Sequence, residues 1–178
     1  MKTIVISLKA FLFFTFLTGV AYPLVITLVG QSIYPAQSTG QLLQSDGKVI
    51  GSALLGQAFQ DPKNFWGRVQ DVSNASPNGQ KLRDFVAQRA KAGFQDEMLY
   101  ASGSGLDPHI RPESAYAQIE RIAKANQLSE AEKAELKSMV EKEVEGPQFY
   151  FWGEPRVNVL ALNLKLKNWI SHAKPKSL

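Results

Sequence analysis

Four residues able to act in acid–base or nucleophilic chemistry crowd one short stretch, Ala101-Ser102-Gly103-Ser104-Gly105-Leu106-Asp107-Pro108-His109-Ile110. Serine, aspartate and histidine are the ingredients of a hydrolytic triad, in which the acid orients the imidazole and the imidazole takes the serine proton. The spacing argues against that use. A nucleophile elbow reads Gly-x-Ser-x-Gly, and Ser102 stands where its first glycine belongs. Triad members also converge from separate elements, whereas Ser104, Asp107 and His109 fall within six consecutive positions. Asp107-Pro108 reads instead as a turn that starts a helix, with the aspartate bonding nearby backbone.

A second lure is Gly51-Ser52-Ala53-Leu54-Leu55-Gly56-Gln57-Ala58, which has the glycine spacing of a phosphate-cradling loop. Gln57 and Ala58 stand where Lys and Ser or Thr belong, so no charge is supplied for β- and γ-phosphates. The glycines read as turn residues. Metal chemistry has little material: with two histidines and no cysteine only a carboxylate site is open, and nothing marks one.

These stretches depend on an anchor. Ala10 to Gly30 is a run of 21 uncharged, mostly apolar residues. As a helix it spans roughly 31 Å, close to the hydrocarbon thickness of a bilayer. One segment cannot close a barrel, so a single transmembrane helix over residues 10–30 is expected. The alternative, a signal cleaved after Gly19-Val20-Ala21, fits poorly because the apolar run continues through Val29. Lys2 and Lys9 precede the run and no Lys or Arg follows until Lys48. That asymmetry places residues 1–9 in the cytoplasm and 31–178 outside, in the periplasm of a bacterium with an inner membrane. The lack of cysteine agrees with export. At about 100° per residue Thr15, Thr18, Gly19 and Tyr22 share one side with Pro23 at its edge, opposite Phe13, Leu17, Val20, Leu24 and Leu28. Small and hydroxylated residues permit close helix approach, so this side is the expected interface with other membrane helices and the other faces lipid. Pro23 should disturb the helix and free the Gly19 carbonyl.

The remaining 148 residues are one domain's worth. Outside the anchor and its flank, 18 basic residues (the 20 of the chain less Lys2 and Lys9) face 16 acidic ones, and they are scattered rather than striped, so nucleic acid is not implied. Gln31–Ser45 reads as a polar loop, Lys48-Val49-Ile50 as the start of a strand, and Ser73–Gly79 as a turn cluster. Helices are expected over 80–92 and 112–126, and after the capping box Ser129-x-x-Glu132, whose stripe is Leu136, Val140 and Val144. Phe149-Tyr150-Phe151-Trp152 reads as a buried strand, followed by a Gly153-Glu154-Pro155 turn. The apolar residues of Arg156–Leu166 fit both the strand and the helix period, and a last helix from about Asn158 is favoured because Leu162, Leu166, Trp169 and Ile170 share a face. The expected architecture is α+β: one membrane helix, then a single mixed domain with three to four helices and a small sheet.

Three stretches together are specific. Val49-Ile-Gly-Ser-Ala-Leu-Leu-Gly-Gln-Ala-Phe59, Ala101–Ile110 and Gly153-Glu-Pro-Arg-Val-Asn-Val-Leu-Ala-Leu-Asn163 resemble, in order and behind an N-terminal helix carrying Ala21-Tyr22-Pro23-Leu24, the C subunit of the potassium-transporting P-type ATPase, the Kdp complex. The motif residues are Gly51, Gly56, Gln57, Ser102, Gly103, Ser104, Gly105, Asp107, Pro108, His109, Gly153, Glu154, Pro155, Arg156, Asn158 and Asn163. One departure is that the family usually carries a longer Gly, Ser and Asn-rich loop after Gly67-Arg68, where this chain passes quickly through Ser73–Asn78. The resemblance implies a non-catalytic subunit of a high-affinity potassium uptake complex, beside an ATP-hydrolysing P-type subunit and a channel-like potassium-binding subunit. It implies a stabilising role and that of a catalytic chaperone raising the pump's affinity for ATP. No cofactor is expected on this chain itself; ATP and transported potassium belong to the complex. The competing reading is a membrane-anchored periplasmic hydrolase using Ser104, Asp107 and His109.

Overall fold

The computed structural model describes residues 2–45, 47–69 and 76–173. The chain is an α+β protein with one membrane-spanning helix, and it divides into two compact units, Met1–Ser52 and Ala53–Leu178.

In the first unit the apolar run is one continuous 32-residue helix, Lys2–Ile33, with a mean hydropathy of 2.1 in its most apolar window and none of that window buried. It extends past residues 10–30 at both ends. It comprises α1 (Lys2–Phe16), a π-turn (Leu17–Ala21) and α2 (Tyr22–Ile33). The π-turn is the local answer to Pro23. A proline ring clashes with the carbonyl four residues back and brings no N–H, and here the preceding turn widens so that the Tyr22 N–H donates to the Leu17 carbonyl. Within the same region the Thr18 hydroxyl donates to the Phe14 carbonyl at 2.7 Å. The wider turn adds about one residue, a rotation of roughly 100°. Beyond it the line of Thr15 and Thr18 runs on through Pro23, Thr27 and Gly30, with Tyr22 beside it.

Residues 31–45, expected as loop, hold more structure. After the helix come a one-turn helix α3 (Pro35–Ser38) and strand β1 (Leu42–Ser45), which pairs antiparallel with β2 (Lys48–Ser52). The composition misleads because the strand is short and half polar. The hairpin signal is the Asp46-Gly47 dipeptide between the strands. Gly51 lies inside β2, opposite Leu43, rather than at a turn.

The second unit packs α5 (Pro112–Tyr116) and α6 (Ile119–Asn126) against α7 (Glu130–Lys142), with β4 (Val157–Asn158) leading directly into α8 (Val159–Ala173). Helix α4 (Gln80–Lys91), ended by Gly93, and a 3-10 turn (Asp96–Leu99) lie on its margin. The capping box forms as the sequence predicts: Ser129 Oγ accepts from the Glu132 N–H, and Glu132 accepts from the Ser129 N–H. The core gathers Phe65, Ile110, Ile122, Leu136, Val140, Val157, Leu162 and Leu166. Burying each such side chain contributes about 1.5–3 kcal/mol. Leu136 and Val140 fall on the buried side of α7 as expected, while Val144, expected in the same stripe, lies beyond the end of the helix and is half-buried; Ala115, Ile119 and Ile122 are buried on α5 and α6.

Two expectations fail. The helix over 112–126 is two helices broken at Ala117-Gln118, so this unit carries five α-helices among the described residues; the strands form two small two-stranded pairs, as small a sheet content as expected. The break falls at Gln118, whose side chain turns to another segment. Phe149–Trp152 is not a buried strand. It is the exposed tip of a narrow antiparallel ribbon closed by Glu145 against Arg156 and Gln148 against Trp152. Phe149 (φ 53°) and Tyr150 (φ 69°) adopt the left-handed conformation, which costs a residue with a side chain roughly 1–2 kcal/mol.

Candidate functional site

The three motif stretches meet in the second unit. The Gly56 N–H donates to the Leu106 carbonyl at 2.7 Å, tying the first to the second. Strand β3 (His109–Ile110) pairs antiparallel with β4, and the Val159 N–H donates to the Pro108 carbonyl at 2.9 Å, tying the second to the third. Asn158 Nδ2 donates to the Ala53 carbonyl at 2.8 Å and closes the ring. The other end of that amide accepts from the Ala161 N–H at 3.1 Å, in the first turn of α8.

Asp107 stands at the middle of the junction. Its Oδ1 accepts from the His109 N–H at 3.0 Å and meets His109 Nδ1 at 3.1 Å, while Oδ2 lies 3.8 Å from the Arg68 guanidinium. The acid–imidazole half of a triad is thus present, but the hydroxyls are engaged elsewhere. Ser102 Oγ accepts from the Asp107 N–H at 3.3 Å and Ser104 Oγ from the Leu106 N–H at 3.2 Å. Among the described residues the only side chain bonded to the His109 ring is Asp107. The stretch is a folded turn whose polar side chains hold its own backbone. Buried Gly105 sits at φ 70°, where a side chain would be strained. Gly103 is exposed on the surface.

The lookalike phosphate loop does not lead into a helix. Beyond Gly56 the chain runs irregularly through residues 57–61, so the loop does not open onto a helix N-terminus as a phosphate loop does.

Residues that sequence reasoning missed complete the site. Phe65 and Trp66 have no strand neighbour, yet both are fully bonded. The Phe65 N–H donates to Asn163 Oδ1 at 2.8 Å and its carbonyl accepts from Asn163 Nδ2 at 2.9 Å. The Trp66 N–H donates to Gln118 Oε1 at 2.7 Å and its carbonyl accepts from Gln118 Nε2 at 3.0 Å. Arg121 lies 3.7 Å over the Trp66 ring and donates to the Asn64 and Pro62 carbonyls. Arg89 lies 4.0 Å over the Phe94 ring and donates to the Met98 carbonyl at 2.7 Å. Burial lowers both guanidinium pKa values from their ordinary one, with Asp61 opposing the shift at Arg121. Both remain cations at any physiological pH.

An open cavity of about 450 Å³ lies between Phe59, Trp66, Arg68, Arg89 and Phe94. No group of three or more ligating side chains suited to a metal occurs among the described residues. In the third motif Glu154 pairs with Arg111 at 2.7 Å and Arg156 with Glu145 at 3.0 Å, both on the surface. Gly153 (φ 95°) makes the turn between them.

Motif side chains that serve the fold give a clear test. Asn163→Leu keeps volume but orphans the Phe65 N–H and carbonyl, each costing about 1–3 kcal/mol when buried without a partner. Ser104→Ala, on the surface of the same junction, should stay within about 0.5 kcal/mol of the parent. Urea unfolding of the full chain in detergent checks both, and equal losses would remove the case for the amide clamp.

The comparisons with known proteins agree with this arrangement of motifs. The family described as "KdpC: K+-transporting ATPase, c chain" matches residues 4–168. A potassium-transporting ATPase KdpC subunit of Burkholderia ambifaria is 42% identical, over 93% of this chain and 96% of the relative. Subunits of the same description from Methylococcus capsulatus and Sorangium cellulosum are 40% and 41% identical, each over 90% of this chain and 94% of its own length. These matches run through the anchor, the Phe65–Asn163 clamp and all three motif stretches, and the chain belongs to the KdpC family, the c chain of the K+-transporting ATPase.

Proposed function

We propose that this chain is a non-catalytic accessory subunit of a high-affinity, ATP-driven potassium uptake complex. It stabilises the assembly of an ATP-hydrolysing P-type subunit with a channel-like potassium-binding subunit. The observation that carries this reading is the junction itself: the three family motifs are bonded to one another, Gly56 to Leu106, Val159 to Pro108 and Asn158 to Ala53. Relatives named as subunits of a potassium-transporting ATPase supply the assembly. ATP and potassium then belong to the complex, and lipid and the partner subunits are what this chain touches.

The Lys2 and Lys9 asymmetry supports an N-terminus in the cytoplasm and a domain outside the inner membrane. A catalytic-chaperone role, raising the pump's affinity for ATP, then works at a distance. It requires that the subunit contact two states of the pump differently, so that the coupling passes through the membrane subunits. The absent lysine after Gly56 supports this over direct contact with nucleotide.

Orientation is tested with Gln44→Cys in this cysteine-free chain, at an exposed position of β1. An impermeant maleimide should label it in intact cells; labelling only after lysis reverses the topology.

The small-residue face is tested by Gly19→Leu against Leu17→Ala and Leu24→Ala. A side chain at Gly19 meets nothing within 4 Å in this chain, so added bulk is felt only by a neighbour. Assembly should weaken by on the order of 1 kcal/mol or more for Gly19→Leu alone, as membrane helix contacts depend on close packing. Co-purification in mild detergent, quantified by mass spectrometry, reads it. Equal effects from all three would dissolve the preferred face.

The full chain in detergent should show no micromolar ATP binding by calorimetry. Such binding, abolished by a change at Gly56 or Asp107, would establish direct nucleotide contact and sink the indirect role.

A further inference from the structure

The Phe149–Trp152 tip is the feature that the fold leaves unexplained. Phe149, Tyr150, Phe151 and Trp152 are 77%, 99%, 79% and 70% exposed, in a unit whose other large aromatics, Tyr100 apart, are buried or half-buried. Among the described residues, neither the Tyr150 hydroxyl nor the Trp152 indole N–H has a hydrogen-bond partner. The tip is nonetheless ordered. The Gln148 N–H donates to the Trp152 carbonyl at 2.8 Å and the Trp152 N–H returns to the Gln148 carbonyl at 2.9 Å. Between these bonds Phe149 and Tyr150 are both held left-handed. Strain of this kind persists where surrounding structure over-determines it, and it clusters at sites that bind.

At the base of the ribbon the two acids are neutralised. Glu154 pairs with Arg111 and Glu145 with Arg156. An aromatic tip with paired charges at its base resembles the anatomy of a protein interface, in which tryptophan and tyrosine act as anchors and the rim is polar. A lipid surface also attracts tyrosine and tryptophan, but it accepts them in any arrangement and gives no use to a strained turn that fixes their directions.

We propose that the Phe149–Trp152 tip is a docking element that inserts into an apolar cleft, lined with hydrogen-bond acceptors, on another subunit of the ATPase. This rests on the reading of the chain as an assembled subunit. The acceptors serve the tyrosine hydroxyl and the indole N–H, which otherwise lose water without compensation. Release of the aromatic surface from solvent supplies the drive.

The test uses the full chain co-expressed with the other subunits. Tyr150→Gly removes an anchor while relieving the left-handed strain, so the isolated chain should melt at the same or a higher temperature. Retention of the complex through mild-detergent purification should fall at least about tenfold for Tyr150→Gly and for Trp152→Ala, the loss typical of truncating a buried aromatic anchor. With p-benzoylphenylalanine in place of Tyr150, ultraviolet light should join the chain to a subunit that co-purifies with the wild type. Parental retention of both variants overturns the proposal, as do cross-links confined to lipid or to a second copy of this chain. Should the wild-type chain itself retain no other subunit, the assembly reading fails instead.

Discussion

Phe65 is fully buried in a segment with no strand beside it, so its backbone N–H and carbonyl must find partners from somewhere else. One side chain supplies both. Asn163, on the buried face of α8, accepts from the N–H and donates to the carbonyl, doing with one amide what a neighbouring strand does in a sheet. Gln118 repeats the device on Trp66. The two clamps fasten the irregular chain from Asp61 to Arg68 onto α8 and onto the break between α5 and α6. That irregular chain carries the central aromatic residue of the core, so the packing of Leu162, Leu166 and Ile122 around Phe65 depends on two amides.

The rest of the irregular chain is fastened by arginines. Arg68 donates to the Ala101 carbonyl, Arg89 to the Met98 carbonyl, and Arg121 to the Pro62 and Asn64 carbonyls. Two of these guanidinium groups also lie over aromatic rings, an arrangement that a planar, weakly hydrated cation tolerates better than an ammonium does. A chain without cysteine thereby cross-links loops that are remote in sequence.

What was legible in the sequence was local. The Ser129–Glu132 box, the Leu136 and Val140 stripe and the face of α8 each involve residues within a few positions, and each is found as read. Asn158 and Asn163 were visible as motif residues, but their work was not, because the partners Ala53 and Phe65 lie 105 and 98 positions away. Gln118 carried no signal whatever, since nothing near it marks a glutamine that leaves its helix for a distant backbone. The aromatic run at 149–152 misled for a different reason. A continuous apolar stretch normally means burial, and here a left-handed turn displays it. The polar composition around β1 hid a strand whose partner is only a hairpin away.

The clamps share a property beyond geometry. Amide side chains, backbone carbonyls and guanidinium groups neither gain nor lose protons anywhere in the physiological range. The two amide clamps on Phe65 and Trp66 are therefore indifferent to acidification of the surroundings, unlike carboxylate pairs, whose contribution drains away as the acids take up protons. Acid therefore leaves the chain from Asp61 to Arg68 tied to α8 and to the break between α5 and α6 by these amides.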